Sequence, residues 1–249
     1  DVEAERTTRP KEVERLTETL VEILERGGTA LIPVFVMGRA QETLAILGNL
    51  KSEGVIDADV PIYTAGSMRA IADLYDKTKD STPRLDPNFR VFDVDQKRLP
   101  RSSEGKDDAF EGPSICVVSS GMMFEPTLSN LIARRLVEDE RNGILLVGYS
   151  KEGTPADRLL KAKERGPGSG VLLHPERGPQ PLRCTVGKFR LTGHSNRRDL
   201  LEIARRMEPD DIILVHGEPA AREWMAKNLH NQMPHATIHV PDGQEVVSV

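Results

Sequence analysis

The chain alternates short apolar, β-branched runs with stretches of helical periodicity, and this alternation constrains its fold more than any other feature. Val13, Leu16, Leu20 and Ile23 recur at helical spacing, and residues 29–36 then form one apolar run. Continuous apolar runs are typical of parallel strands, which are buried on both faces. Repeated β–α alternation with short links indicates a parallel sheet flanked by helices. We therefore predict an α/β fold with helices on both faces of the sheet.

The remaining elements follow from the same patterns. Residues 78–113 are polar and rich in Pro, Asp and Lys, so we expect a long surface excursion with one strand near 89–94. Further helices are predicted near 40–47, 67–76, 128–135, 155–163, 197–206 and 219–229. Further strands are predicted near 60–64, 114–118, 143–148, 182–186, 188–191, 211–215, 236–240 and, as an edge strand, 245–249.

Composition limits the functions open to the chain. Its 249 residues, 38% hydrophobic and 29% charged, suit one large domain or two smaller ones. A net charge of −5 gives no overall attraction to nucleic acid, so a polyanion would need a local basic cleft. Basic residues that could line one are Arg39, Lys188, Arg190, Arg197 and Arg198, although Arg197 and Arg198 also suit the solvated first turn of a helix. Aromatic residues make up 4%, which argues against a base-stacking platform.

The two cysteines and the absence of long apolar runs bear on location. Cys116 lies inside the apolar run 114–118, and Cys116 and Cys184 make neither a disulfide framework nor a CxxC zinc site. No run approaches the roughly 20 apolar residues that span a bilayer. The first residues do not resemble a signal peptide, and they lack an initiator Met. We expect a cytoplasmic protein without membrane contact.

Polar residues follow several of the predicted strands, where α/β sheets bind their ligands. Gly38 and Arg39 precede a helix, whose N-terminus and nearby arginine favour an anion. The alternative is a plain turn with a solvated arginine. Ser119, Ser120 and Gly121 follow another strand and could form a backbone anion nest, or a tight turn in which the serines satisfy local backbone groups.

Two histidines carry most of the chemical information. His194 follows an extended run and His216 the strand at 211–215, and each borders a glycine. A histidine held rigidly at a strand exit suits metal binding or acid–base chemistry. A catalytic zinc normally needs three protein ligands, and the chain has neither an HxH nor an HExxH motif. His174, His230, His235 and His239 have the features of surface or core histidines.

Five ordered motifs resemble the β-CASP branch of the metallo-β-lactamase-fold nucleases. PVFVMGRAQE at 33–42 is similar to the family's PxFxxGRxQE signature, SSGMM at 119–123 to its SGM stretch, and GYSKEGT at 148–154 to its GYxxxGT loop. GHS at 193–195 and LVHGE at 214–218 resemble its motifs B and C. The chain departs from the family at 124–126, where FEP replaces the usual glycines.

The resemblance implies roles for individual residues. His216 would bind one of two Zn²⁺ ions. His194 would protonate the leaving oxygen, oriented by an acidic motif A residue for which Glu3 is the candidate and Glu5 the reserve. Substrate would contact six further residues: Arg39, Ser119, Ser120, Gly121, Ser195 and Asn196.

The resemblance also implies an organisation and a reaction. Residues 1–9 would end a metallo-β-lactamase N-terminal portion, 10–186 would form the β-CASP domain, and 187–249 would return to the metallo-β-lactamase domain. The family's HxHxDH motif is not present, so the metal-binding half would lie elsewhere, in cis or in trans, and this chain alone would be inactive. The complete protein would be a zinc-dependent phosphodiesterase acting on nucleic acid, with RNA favoured over single-stranded DNA, and a homodimer is left open. Two alternatives remain open: a non-catalytic binding or scaffold relative, and a hydrolase of small esters.

Overall fold

The computed structural model of the protein describes residues 7–84, 86–99, 112–191, 193–243 and 245–248. It divides into two compact units, one formed by Arg9–Thr192 and one that joins N-terminal residues to Gly193–Val249. Among the described residues, no helix combines the length and apolar character that crossing a bilayer requires.

The Arg9–Thr192 unit is built on a six-stranded, fully parallel sheet with the strand order β3-β2-β4-β1-β5-β8. The strands are β1 (Thr29–Pro33), β2 (Ile62–Thr64), β3 (Lys97–Arg98), β4 (Ser114–Val118), β5 (Gly143–Leu146) and β8 (Thr185–Lys188). A short antiparallel pair, β6 (Gly170–Val171) with β7 (Gln180–Pro181), lies outside this sheet. All residues of β1, β4 and β5 are buried, as their continuous apolar runs predict.

Helices cover both faces of this sheet, which confirms the predicted α/β architecture. The helices are α1 (Arg9–Glu25), α2 (Arg39–Ser52), α3 (Ser67–Lys77), α4 (Leu128–Leu136) and α5 (Pro155–Glu164). Buried residues of α1, α2 and α3 pack with Ala30 and Ile32 of β1, whereas those of α4 and α5 pack with Leu31. Successive strand residues face opposite sides, so β1 contributes to two separate cores.

The unit that contains Gly193–Val249 has its own small core. It consists of α6 (Arg197–Met207), β9 (Asp211–Ile213), α7 (Pro219–Gln232) and β10 (Thr237–His239), with β9 and β10 paired in parallel. Leu201 of α6 and Leu229 of α7 pack with Met233 and Ala236. The four elements occur in the predicted order, with strands a few residues shorter than predicted.

Three predicted strands are wrong, and in each case another polar contact takes the backbone donors. Residues 89–94 form a single 3₁₀ turn, Val91–Asp93, because the Asp76 carboxylate accepts hydrogen bonds from the Val91 and Phe92 amides at 2.7 and 3.1 Å. The strand of this region is β3 instead. A second 3₁₀ turn occupies Pro175–Arg177.

The other two errors lie near the C-terminus of each unit. The two strands predicted near 182–186 and 188–191 are one strand, β8. It begins after Cys184, whose amide donates to the Val137 carbonyl, and it ends before Arg190, whose amide donates to the Glu12 carboxylate. The predicted edge strand at 245–249 is absent over residues 245–248. There the Glu245 amide donates to the Asp242 carbonyl at 3.0 Å, which makes a turn.

Candidate nucleic-acid interface

Three of the loops singled out by sequence meet at the carboxyl edge of the sheet. Strands β4, β1 and β5 are neighbours and run in the same direction, so their following loops leave from one edge. The ring of Phe35, after β1, lies against Gly121, after β4, and against Gly148, after β5. A β-carbon at Gly121 would lie 3.1 Å from ring carbons Cδ2 and Cε2, and one at Gly148 would lie 3.0 Å from Cε2. The structure therefore brings together the loops that begin at 34, 119 and 147.

The loop that leads into α2 is folded by its own glutamine. Gly38 adopts the left-handed conformation, with φ of 77°. The buried Gln41 side chain accepts a hydrogen bond from the Gly38 amide at 2.7 Å and donates to the Val36 carbonyl at 3.1 Å. This contact explains the glutamine of the motif in structural terms: it caps the helix and closes the turn. Sequence analysis missed this role, although a glutamine three residues after the capping residue is a recognisable signal.

Arg39 is half-buried in the first turn of α2 and already has one anionic partner. Its guanidinium pairs with Glu42, which also pairs with Arg9. Burial lowers the pKa of Arg39; the Glu42 carboxylate opposes this effect and Arg9 adds to it. The lowered pKa means that the positive charge is less well solvated than in water, so a further anion would stabilise it. A guanidinium has five N–H donors, which allows a second ligand beside Glu42.

The serine loop after β4 is held by local hydrogen bonds. The Ser120 hydroxyl accepts from the Phe124 amide at 3.2 Å, and the Ser129 hydroxyl donates to the Ser120 carbonyl at 2.7 Å. The Ser129 amide donates to the Ser119 carbonyl at 3.2 Å. These contacts are the ones expected of a tight turn, and they leave Ser119, Ser120 and the buried Gly121 in a fixed loop.

The loop after β5 has a similar internal framework. Thr154 caps α5 by accepting a hydrogen bond from the Asp157 amide, and Asp157 in turn accepts from the Gly153 amide at 2.9 Å. Within the described part of the chain, the enclosed Ser150 hydroxyl oxygen has no hydrogen-bond partner. This loop is therefore rigid and carries one buried polar group whose hydrogen bonding is unsatisfied.

Large apolar side chains are exposed along the same edge. Phe35 is 37% exposed, Phe124 is 49% and Tyr149 is 56%, and Met37, next to the α2 turn, is 76% exposed. We call Phe35, Phe124 and Tyr149 the aromatic patch. Sequence analysis missed it because the low total of aromatic residues conceals where they lie, and only the fold places three of them after neighbouring strands.

The motif B segment lies in the other unit, just before α6. His194 and Ser195 are exposed, and β8 ends earlier, at Lys188. The Asn196 side chain caps α6: its oxygen accepts from the Arg198 and Asp199 amides at 2.9 and 3.0 Å. The Arg197 guanidinium lies over the Trp224 ring, 4.4 Å from its centroid, which gives this arginine a structural contact.

His216 is an exposed residue between β9 and α7. It adopts a left-handed conformation with φ of 57°, which is uncommon for a residue other than glycine. Strand β10, which pairs with β9, carries a hydrogen-bonding histidine that the sequence did not indicate: His239 Nε2 lies 2.6 Å from the Asp211 carboxylate of β9. This contact joins the two strands and gives His239 a structural role.

The described residues do not by themselves fit a zinc site. Within that part of the chain, no three His, Cys, Asp or Glu side chains come together as a set that could hold a metal ion. Glu3 and Glu5, the motif A candidates, lie outside the described residues. Cys116 and Cys184 are free thiols, and burial raises the pKa of each from 9.0 to about 12, with Arg26 partly opposing this effect at Cys184. Both therefore stay protonated at neutral pH and are poor metal ligands.

Two family models match the chain, and they define its class. Residues 40–159 match the Beta-Casp domain, and residues 179–241 match the Zn-dependent metallo-hydrolase RNA specificity domain. The protein is thus an α/β protein in which a β-CASP domain precedes an RNA specificity segment of metallo-hydrolases. It belongs to the β-CASP family of metallo-β-lactamase-fold nucleases, as the motifs indicated.

Curated relatives are named as ribonucleases or as RNA-processing factors. The chain is 30% identical over 245 residues to "Endoribonuclease ysh-1" of Neurospora crassa, covering 84% of this chain and 28% of the relative. It is 32% identical over 209 residues to "Cleavage and polyadenylation specificity factor 73" of Drosophila melanogaster, covering 82% and 29%. It is 33% identical over 216 residues to "RNase J-like protein" of Methanocaldococcus jannaschii, covering 84% and 48%. The chain thus spans less than half the length of each.

Proposed function

We propose that the complete protein hydrolyses RNA phosphodiester bonds, and that this chain supplies the RNA-contacting domain and the proton donor. The observation that carries the proposal is the match of residues 179–241 to an RNA specificity domain of metallo-hydrolases, because that segment contains both His194 and His216. One relative named as an endoribonuclease and one named as RNase J-like support RNA as the substrate class.

The domain division that we propose follows the motifs. Residues 10–186 would be the β-CASP domain, 187–249 the metallo-hydrolase segment, and 1–9 the end of a preceding metallo-hydrolase portion. That portion, in cis or in trans, would carry the remaining metal ligands. We further propose that the protein forms homodimers. A reducing, cytosolic location is proposed from the two free cysteines.

His194 is the proposed proton donor. Hydrolysis adds water across the bond between phosphorus and the 3′ oxygen, and the leaving oxygen must take up a proton. An imidazolium can supply it, and a carboxylate on its other ring nitrogen, proposed to be Glu3, would orient the ring.

His216 is proposed to give one nitrogen to a zinc site that the described residues do not complete. Zinc of this family would supply Lewis-acid stabilisation of phosphate charge. The left-handed backbone at His216 supports a functional constraint, because strained positions of this kind cluster at sites where geometry matters.

The RNA backbone is proposed to contact Arg39, with Ser119, Ser120 and Gly121 beside it, and Ser195 and Asn196 near the histidine. Support comes from Arg39, whose burial disfavours its charged form and so favours a further anion. The Asn196 oxygen is used by its helix cap, which leaves the amide nitrogen as the group to contact substrate.

A non-catalytic binding or scaffold function is the second candidate. An RNA cleavage assay on the complete protein, with zinc content measured, separates the two. We expect wild type to bind zinc and to cleave. His194→Ala should lower turnover about 10²–10⁴-fold with zinc content unchanged, and His216→Ala should lower zinc content.

His230→Ala is the matched control, since His230 is an exposed histidine on α7, and it should change neither quantity. A wild-type protein that neither holds zinc nor cleaves RNA would support the scaffold. Equal loss of zinc in His194→Ala and His216→Ala would refute the separate roles of the two histidines.

A further inference from the structure

The aromatic patch lies on a rigid part of the carboxyl edge. Phe35 cannot shift towards the sheet, because one edge of its ring already packs against Gly121 and Gly148. The Phe124 backbone is fixed on both sides, since its amide donates to Ser120 and its carbonyl accepts from the Thr127 amide at 2.8 Å. Both rings remain partly exposed, at 37% and 49%. Large rings on a fixed backbone lose little conformational entropy when they bind.

The exposure of these rings differs from ordinary scattered exposure. Single exposed apolar residues need no explanation, whereas grouped ones mark a binding surface. Tyr149 directly follows Gly148, which touches Phe35, and Phe124 lies three residues after Gly121, which touches the same ring. The three residues therefore lie in the loops that follow adjacent strands β4, β1 and β5.

The surroundings of the patch are basic, which indicates the chemistry of its occupant. Arg39 lies after β1, exposed Lys151 after β5, and exposed Arg98 at the end of β3. In these loops Glu42 pairs with Arg9 and Arg39, and Glu152 pairs with Lys161 at 3.2 Å, so the half-buried Glu125 is the described carboxylate that remains to oppose the cations. Exposed rings within a basic surface complement single-stranded nucleic acid, whose bases stack on aromatic side chains while its phosphates pair with cations.

We propose that Phe35, Phe124 and Tyr149 form a nucleobase-binding surface for single-stranded RNA. The inference rests on the proposed function for its substrate class, and it adds a base-stacking subsite to the phosphate contacts. A low aromatic content does not oppose it, because stacking one or two bases needs only a few rings in the right place.

The test compares an intact RNA octamer with the same octamer made abasic at its four central positions. Binding of both to the full chain is measured by fluorescence anisotropy in EDTA, which prevents cleavage. The wild type should bind the intact RNA about 10- to 100-fold more tightly than the abasic RNA. Phe124→Ala and Tyr149→Ala should each reduce this preference, and the double variant should abolish it. Phe124→Trp should restore it.

Leu74→Ala is the matched control, because Leu74 is a 57% exposed apolar residue on α3 outside the patch, and it should bind like wild type. Far-UV circular dichroism checks that each variant is folded. If the wild type binds both RNAs equally but with a clear dependence on salt, the stacking proposal is overturned while the proposed phosphate contacts stand. If neither RNA binds, both proposals fail. Loss of self-association in Phe124→Ala without a change in RNA affinity would assign the patch to a second copy of the chain and overturn the proposal.

Discussion

The ring of Phe35 packs so closely on Gly121 that a β-carbon at Gly121 would lie 3.1 Å from two ring carbons and 3.2 Å from the Phe35 backbone nitrogen. These residues lie 86 positions apart in the sequence (121 − 35), at the exits of paired strands β1 and β4. The contact fixes the point at which the loop after β1 leaves the sheet. It thereby sets the positions of Phe35 and of the Arg39 turn that follows.

Gly121→Ala should therefore disturb the edge of the sheet. Adding a methyl group to a closely packed site costs about 1–3 kcal/mol, and we expect the free energy of unfolding in urea to fall by about that amount. The loss should be smaller in a Phe35→Ala background, because the ring then no longer opposes the new methyl group. Gly243→Ala is the control, since a β-carbon there meets nothing within 4 Å. Equal stability of Gly121→Ala and Gly243→Ala would show that the loop adapts freely.

Glu12 should be a stabilising residue despite being charged and buried. It is 2% exposed, accepts a hydrogen bond from the Arg190 amide at 2.7 Å, and pairs with Arg15 at 2.6 Å. Glu12→Ala removes the acceptor for a backbone amide, so we expect a loss of about 1–3 kcal/mol. Glu12→Gln keeps one acceptor oxygen and should lose less. Glu14→Ala, an exposed change on the same helix, should have little effect. If Glu12→Ala and Glu14→Ala lower the free energy of unfolding in urea equally, the hydrogen bond from the Arg190 amide to Glu12 does not stabilise the protein.

Variants of Asn196 can distinguish a role in capping α6 from a role in contacting substrate. Loss of an N-cap costs about 1 kcal/mol, so Asn196→Ala should lower the thermal midpoint of the Gly193–Val249 unit. Asn196→Ser retains a capping oxygen and should preserve stability while removing the amide nitrogen. Reduced RNA affinity in Asn196→Ser would support a substrate contact. Unchanged RNA affinity in this stable variant would restrict Asn196 to capping α6.

The buried thiols predict a loss of stability at alkaline pH. The pKa of Cys116 and that of Cys184 are raised by burial from 9.0 to about 12. In the unfolded chain the thiols ionise near 9.0, whereas the folded thiols keep their protons. Unfolding therefore releases protons in this range, and the contribution to stability, complete below pH 9, falls as the pH rises towards 12.

The measurement for the thiols is the urea midpoint from pH 8 upwards. We expect the variant that carries both Cys116→Ala and Cys184→Ala to be less stable at pH 8 but to lose stability less steeply as the pH rises. Parallel curves for this variant and wild type would contradict the assignment. In addition, neither thiol of the folded wild type should react with Ellman's reagent at pH 8 until denaturant is added.

The fold could be predicted from the sequence wherever the residue pattern within a single helix or strand is sufficient to identify it. Strand β4 is a run of five buried residues, and α1 repeats its buried leucines at helical spacing, so local patterns are sufficient for both. The convergence of the Arg39, Ser119 and Gly148 loops was not predicted, because it depends on the strand order β4-β1-β5, which local patterns do not specify. The motifs also indicated the family, which the two family models confirm, whereas the site residues that the resemblance implies stay predictions.

What could not be predicted depends on side chains that reach across the fold. Asp76 binds the amides of residues 15 and 16 positions away, which turns an apparent strand into a 3₁₀ turn. Arg197 looks like a solvated helix residue until α7 places Trp224 beneath it. Asn196 looks available for substrate, yet its side-chain oxygen caps α6. Periodicity and spacing carry no information about such pairs.

The most direct test of the central claim, that the carboxyl edge of the sheet holds an RNA backbone, is the salt dependence of single-stranded RNA affinity. For single strands, log K falls against log salt with a slope of about −0.7 per phosphate contact. We predict a linear decrease for wild type, and for Arg39→Gln a slope shallower by about 0.7. Lys77→Ala, a change in an exposed lysine paired with Asp73 on α3, should leave the slope unchanged. A flat salt response in the wild type, or identical slopes for wild type and Arg39→Gln, would contradict the account.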